Sequence, residues 1–168
     1  YTEYHGAGYG NTVSINQSAT SSSQTNYTEV KLGTMGNANN NTVNITQSGN
    51  ASTQVNYTEL SITGNSNTAT ITQTSTGGGK GVFATIANNS NTLTVQQKDA
   101  GSHYAEINLS GGSKTVDLLQ QGSASHMAKI TLSGQPVGLN LNQSGSTQQF
   151  YSINYNCTTQ GGCAAISV

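Results

Sequence analysis

The sequence predicts an all-β protein, a β-solenoid with two strands per coil in which about six repeats stack parallel and in register, as in amyloid-like cross-β structure. Three observations predict this fold: a short phrase recurs along the chain, apolar and polar residues alternate within it, and charged residues are scarce. We divide the single repeat domain into an N-terminal half-repeat (1–9), six strand-turn-strand repeats (10–156) and a cysteine-containing C-terminal strand or cap (157–168).

The composition favours a thin core. Charged residues make up 7% and apolar residues 32% of the 168 residues, against about 25% and about 45–50% in ordinary globular domains. So few apolar side chains cannot fill a core of normal thickness. Disorder usually accompanies high net charge or many prolines, but the formal net charge is −1 and Pro136 is the single proline. A repetitive core is therefore favoured over disorder.

Composition also bounds the partners. The five basic residues are all lysine and form no run, so we expect no nucleic-acid partner. Apolar runs are only a few residues long, so we expect no membrane span. The sequence begins at Tyr1, which indicates a secreted chain whose signal peptide has been removed, or a trimmed one. We find no nucleophile-and-base constellation and no phosphate-binding loop, and therefore expect no enzymatic activity, catalytic residue, cofactor or bound metal.

The first strand of each repeat, strand a, is a seven-residue phrase with the pattern apolar, polar, apolar, polar, Gln after two leading residues. Val13, Ile15 and Gln17 share one face in the first phrase, as a period of two requires. The phrases begin at Asn11, Asn41, Asn67, Asn91, Lys114 and Val137, and they end at Gln17, Gln47, Gln73, Gln97, Gln120 and Gln143.

The second strand, strand b, follows each phrase at residues 27–32, 57–62, 83–88, 104–109, 127–132 and 150–155. Thr28, Val30 and Leu32 form its predicted inward set in the first unit. Gly- and Ser-rich turns separate the strands. One such coil cannot bury its apolar face alone, so strand a must stack on strand a and strand b on strand b. The six closing glutamines are then expected to form a ladder of hydrogen-bonded amides.

At these residues the sequence resembles curlins, the subunits of bacterial curli fibres. Gln47-Ser-Gly49, Gln120-Gln-Gly122 and Gln143-Ser-Gly145 match the Gln-x-Gly element of the family, and the Asn-x-Ala element falls in part on Asn26-x-Thr28 and His103-x-Ala105. In the third repeat we align this element with Val82-x-Ala84. The resemblance covers about residues 10–155. It implies secretion with the help of export and nucleation accessory proteins, assembly with identical subunits, and a place in an extracellular biofilm matrix or in adhesion.

Three further rows on strand b have two interpretations each. His103 and His126 occupy the same position in successive coils. They either share a metal ion or replace Asn in a polar column, and we favour the polar column. Outward glutamates either bind a cation weakly or form a solvated face, which we favour. An aromatic row faces outward and either holds neighbouring fibres or a surface, or stacks within the fibre; it comprises Tyr1, Tyr27, Tyr57, Phe83, Tyr104, Met127 and Phe150.

Cys157 and Cys163 lie close together in a Gly-rich segment. Two thiols without a third Cys or a nearby His fall short of a zinc site, so we expect a short-loop disulfide and an oxidising, extracytoplasmic location.

The ends of the sequence predict a joint between subunits. Tyr1, Thr2 and Tyr4 read as the start of a strand b, whereas Ile166 and Val168 read as the start of a strand a. We expect these half-repeats of neighbouring copies to form one composite coil, so that the chain self-assembles head-to-tail into an extracellular amyloid-like fibre. The alternative is a β-solenoid that binds ice or carbohydrate through the threonines at position two of the first five phrases, which are Thr12, Thr42, Thr68, Thr92 and Thr115.

Overall fold

The computed structural model describes residues 1–20, 25–33, 38–49, 53, 55–75, 78–87, 89–111, 114–134, 137–156 and 166–167. Fourteen strands run through these residues, and the described part of the chain contains no helix. The strands are β1 (Thr2–Gly6), β2 (Ile15–Ala19), β3 (Thr25–Leu32), β4 (Ile45–Gly49), β5 (Val55–Thr63), β6 (Thr74–Ser75), β7 (Lys80–Ala87), β8 (Leu93–Thr94), β9 (His103–Ser110), β10 (Lys114–Leu119), β11 (His126–Ser133), β12 (Val137–Asn142), β13 (Gln149–Asn156) and β14 (Ile166–Ser167).

The strands stack into a parallel β-solenoid of about six turns, which confirms the predicted fold class. The b side is one seven-stranded sheet in the order β1-β3-β5-β7-β9-β11-β13. The a side consists of a three-stranded sheet, β2-β4-β6, and a four-stranded sheet, β14-β12-β10-β8. Apart from β6 and β8, which belong to different sheets, each strand pairs with its counterpart in the neighbouring coil and not with its neighbour in sequence.

The core lies between the a and b sides, and each side contributes one layer of side chains to it. The predicted inward residues Thr28, Val30 and Leu32 are buried, while the residues between them are partly exposed. Ile45 and Val116 bury the facing side from strand a. Burying an aliphatic side chain of this size stabilises the fold by about 1.5–3 kcal/mol, so the alternation seen in the sequence is what holds the two sides together.

The predicted alignment of the third strand b is wrong by two residues. Gly81, not Phe83, pairs with Tyr57, and Lys80, not Val82, pairs with Asn56. A shift of two keeps every side chain on its face. Apolar burial explains the choice, because the observed register stacks Ile86 on Ile62 and Ala84 on Leu60, whereas the predicted one would have placed Asn88 in the apolar column above Ile62.

Strand a is less regular in the middle of the stack than the sequence predicts. β6 and β8 contain two residues each, and the a side divides between them into its two sheets. Ala69, Ile71 and Gln73 have φ values of 98°, 50° and 43°, and this alternation of left-handed residues is incompatible with an extended strand. Ile71 nevertheless stays fully buried, so the inward face was predicted correctly where the hydrogen-bonded ladder was not.

Tight turns connect the two sides, and Gly101 shows why they are rich in glycine. Its φ is +74°, and a Cβ placed there would lie 2.5 Å from the carbonyl oxygen of Ser123 in the next coil. No side chain fits at this approach. The coils can therefore keep the close spacing of parallel strands through the turn as well.

Candidate functional site

The closing glutamines of strand a form a column inside the solenoid. Nε2 of Gln97 donates to Gln120 and Nε2 of Gln120 donates to Gln143, at 2.6 Å each. Gln73 donates to Gln97 at 2.7 Å. The same amides reach across to strand b, where Gln97 donates to the carbonyl oxygen of Tyr104 at 3.0 Å. Each amide thus links two coils and also links the a side to the b side. The column runs through Gln17, Gln47, Gln73, Gln97, Gln120 and Gln143, of which the first and the last are only partly buried.

The direction of the amides reverses within this column. Gln47 donates backwards, to Gln17 at 2.9 Å, whereas Gln73 donates forwards to Gln97. At the reversal, the hydroxyl of Thr58 lies 3.2 Å from Oε1 of Gln47 and 3.1 Å from Oε1 of Gln73. A threonine therefore stands between two acceptors that would otherwise face each other.

Sequence reasoning missed a second column of amides, at the first residue of the phrases. Asn41 donates to Oδ1 of Asn11 at 2.7 Å, Asn67 donates to Asn41 at 2.6 Å, and Asn91 donates to Asn67. The signal was present, because the same residue opens four consecutive phrases. Lys114 takes the next place in the column, is buried, and donates to the carbonyl oxygen of Gly111.

A third polar column stands two residues before the predicted inward set of strand b and contains the two stacked histidines. The rings of His103 and His126 are 5.0 Å apart and inclined by 6°. Their Nε2 atoms donate to the equivalent carbonyl oxygens of Lys98 and Gln121, which leaves each Nδ1 as a buried lone pair. Parallel rings direct these lone pairs side by side and not toward a common point, so the geometry fits a polar column better than a shared metal ion.

Burial in this column shifts two pKa values. Burial lowers the pKa of His103 to about 4, and the neighbouring Lys80 contributes in the same direction. Burial also lowers the pKa of Lys80 to about 8, although Asp99 opposes that change. The ammonium group of Lys80 donates to the carbonyl oxygen of Asp99 at 2.8 Å. The register places Lys80 above Asn56 and below His103, so it belongs to the same column.

The aromatic row stacks within the chain. The rings of Tyr1 and Tyr27 are 5.1 Å apart and inclined by 5°, and those of Tyr27 and Tyr57 are 5.0 Å apart and inclined by 8°. Neighbouring rings therefore stack on one another along the row. This geometry favours the intramolecular ladder over a row of exposed faces for holding a surface.

Phe83 continues the aromatic row although it stands two residues out of register. Its ring lies 5.1 Å from those of Tyr57 and Tyr104. The residue in register, Gly81, has no side chain, and a Cβ there would lie 3.2 Å from the Tyr57 ring. The phenylalanine leans into the space that the glycine leaves.

The outward glutamates are paired and not bare. Tyr27 donates to Glu59 at 3.1 Å and Tyr104 donates to Glu106 at 2.8 Å, while Lys129 lies 2.8 Å from Glu106. Hydrogen bonding from Lys129 holds the pKa of Glu106 below its ordinary value. These contacts favour a row of phenol-carboxylate and ion pairs over a row of bare, solvated carboxylates.

The residues that the structure describes contain one group of three side chains able to hold a metal ion, Glu3, His5 and Glu29. Nε2 of His5 lies 3.1 Å from Glu3 and 3.8 Å from Glu29. Lys31 and Tyr1 already contact the same carboxylates. A cation would have to displace Lys31, so the arrangement is better described as an exposed ion-pair cluster.

Of the residues predicted to join subunits, Thr2 and Tyr4 lie on β1 and Ile166 lies on β14, which are both edge strands, and Tyr1 directly precedes β1. β1 pairs with β3 so that Thr2 meets Thr28 and Tyr4 meets Val30. On the opposite side β14 pairs with β12, Ile166 meeting Leu139. Val168, Cys157 and Cys163 lie outside the described residues, and the disulfide stays a prediction.

No helix in the described ranges is long and apolar enough to cross a membrane. No family model, curated protein or solved structure matches this chain. The resemblance to curlins therefore rests on the repeat residues alone.

Proposed function

We propose that the chain is a structural subunit that self-assembles head-to-tail into an extracellular amyloid-like fibre. One observation carries the proposal: the inward row of β13 is only partly covered, although the same columns are fully buried one coil earlier. Ala128, Ile130 and Leu132 of β11 are fully buried, whereas Tyr151 of β13 is 53% exposed and its row is otherwise only half buried. A further parallel strand on β13 would bury this row.

The contacts between coils are of the kind that can also join copies. Backbone ladders, stacked amides and apolar columns repeat from coil to coil, and none depends on chain connectivity. The two sides are also offset. At one end β1 extends one strand beyond β2, and at the other end β14 extends one strand beyond β13. The b side protrudes at one end and the a side protrudes at the other. When one copy is translated along the stack, its protruding strand therefore meets the recessed side of the next copy.

The biological setting is proposed from sequence. A curlin-like subunit would be secreted, assisted by export and nucleation accessory proteins, and would serve in a biofilm matrix or in adhesion. Its role is structural, without catalysis or a cofactor. An extracytoplasmic location would allow the bond between Cys157 and Cys163.

Electron microscopy and X-ray fibre diffraction of the purified chain at neutral pH test the proposal. We expect unbranched filaments and a meridional reflection at about 4.7–4.8 Å, the spacing of strands perpendicular to a fibre axis. A chain that stays monomeric at tens of micromolar, by analytical ultracentrifugation over several days, would contradict the proposed function.

A further inference from the structure

We infer that two copies join in one defined register, with β1 of one copy paired in parallel with β13 of the other, and that the side-chain sizes of these strands specify it. The inference rests on the proposed self-assembly and identifies the residues that meet in it. In this register Thr2 lies over Tyr151, Tyr4 over Ile153 and Gly6 over Tyr155, since each pair belongs to one column of the b sheet.

The inward row of β13 differs from every described strand beneath it. Its first column contains Thr58, Val82, Ala105 and Ala128 in the preceding coils and then Tyr151. Its third column is aliphatic up to Leu132 and then contains Tyr155. β13 thus presents large, medium and large side chains in sequence, and the hydroxyl of Tyr155 is buried without a hydrogen-bond partner.

The inward row of β1 has the opposite profile. Thr2 and Gly6 are small and flank Tyr4, a large residue that is 41% exposed. The two rows are complementary, because the small positions of β1 face the large residues of β13 and the large Tyr4 faces the medium-sized Ile153. Each column therefore contains a similar side-chain volume at the joint. In the isolated chain the Tyr4 ring lies over Gly6, 2.9 Å from where a Cβ would stand. Docking would move that ring onto Ile153 and admit Tyr155.

The outward rows agree with this register. Tyr1 would lie over Phe150, which extends the aromatic row across the joint, and these side chains are 75% and 57% exposed. Glu3 would lie over the neutral Ser152, which avoids the like-charge contact that stacked carboxylates create. A joint between two identical ends, such as β13 against β13, lacks this complementarity of side-chain size. Two antiparallel copies of β13 centred on Ile153 would oppose Tyr151 to Tyr155, large against large.

A charge introduced at position 152 and a charge reversal at position 3 together test the register. These residues lie at opposite ends of one chain, so coupling between them requires a contact between copies. Ser152→Glu should slow elongation of preformed seeds roughly two- to fivefold at low salt, because it sets two carboxylates together. Glu3→Lys combined with Ser152→Glu should restore the rate. Asn154→Glu is the matched control, since position 154 would lie over His5 and Glu3→Lys should not rescue it.

The outcomes separate this register from the proposed function. Wild-type fibres together with selective rescue of Ser152→Glu by Glu3→Lys support the inference. Wild-type fibres with an unaffected Ser152→Glu variant, or with rescue of Asn154→Glu instead, overturn the register and leave self-assembly standing. A wild-type chain that forms no fibre contradicts the proposed function itself.

Discussion

At the scale of single residues, the buried amides give the stack its specificity. Gln97 accepts from Gln73, donates to Gln120 and donates to the carbonyl oxygen of Tyr104. A ladder at this position was predictable, because the same residue closes every phrase. The reversal of amide direction was not, since it depends on a hydroxyl from the other side of the core, that of Thr58. Sequence repetition indicates which residues stack but not which way they point.

Replacing Gln97 by Leu should destabilise the fold. Gln73 would lose its acceptor and Gln120 a donor in a dry interior, which costs about 1–3 kcal/mol for each buried polar group left unsatisfied. At about 2–4 °C per kcal/mol for a chain of this size, we expect the midpoint of thermal unfolding to fall by roughly 4–24 °C. Gln96→Leu is the control, because Gln96 is partly exposed on the outer face. Equal midpoints for the two variants would contradict a structural role for the amide column.

The histidine column should make stability depend on pH. The folded pKa of His103 is lowered to about 4 from 6.5, so between these values the unfolded chain binds the proton more readily than the folded one. The contribution is fully present above about pH 6.5 and is lost as the pH falls toward 4. Lys80, Lys98, Asp99 and His126 surround this group.

Thermal melts at a series of pH values, with His103→Asn for comparison, measure this effect. Asparagine fills the same slot at Asn26 and Asn56, so this variant should fold and should lose less stability between pH 6.5 and pH 4. Identical pH profiles for the variant and the wild type would show that His103 does not titrate in this window.

At the scale of elements, the strands of the b side were predictable because alternation and an inward apolar set recur in each. The third strand was misaligned because Phe83 resembles the leading aromatic of its neighbours. Gly81, not Phe83, is in register with Tyr57, and the Phe83 ring reaches the aromatic row by leaning along the strand. A one-dimensional match of residue types cannot reveal such diagonal packing, whereas the apolar column at Ile62 and Ile86 decides it.

Substitutions at Gly81 and Phe83 should have strongly coupled effects on the free energy of unfolding. Gly81→Tyr alone should destabilise, because the Phe83 ring already fills the space beside Tyr57. Phe83→Thr alone should destabilise by about 0.5–1.5 kcal/mol or more through lost ring contacts. The double variant restores a ring in register. In a double-mutant cycle measured by denaturant unfolding, its loss of stability should be smaller than the sum of the two single losses by roughly 0.5–3 kcal/mol. Strict additivity would mean that Phe83 does not occupy the place of Gly81.

At the scale of the whole molecule, length, composition and repeat spacing were sufficient to predict a two-sided solenoid of about six turns. The division of the a side into two sheets was not predictable, because it arises from left-handed backbone at residues of ordinary type such as Ile71. Two polar columns show a further limit, since buried Lys80 and Lys114 stand in columns whose other polar members are amide residues and histidines.

Deleting residues 1–9 should leave a folded chain that polymerises poorly. β3 to β13 keep their pairing, while β13 of one copy loses the strand β1 proposed to cover it. Light scattering and circular dichroism should show retained β structure with an elongation rate at least several-fold lower. Tyr9→Ser provides the control, because Tyr9 is 87% exposed and lies outside β1. Normal fibre growth after the deletion would show that β1 is not part of the joint.

The central claim is that the fibre continues the solenoid without interruption, and a helical reconstruction by electron cryo-microscopy measures this directly. The described residues of each copy contribute seven strands to the b sheet, so we predict one subunit per about 33 Å along the axis, seven strand spacings of about 4.7–4.8 Å. Strands should lie perpendicular to the axis, with β13 of one copy beside β1 of the next. Filaments with a different axial repeat per subunit, or with copies joined through their outer faces, would contradict the account.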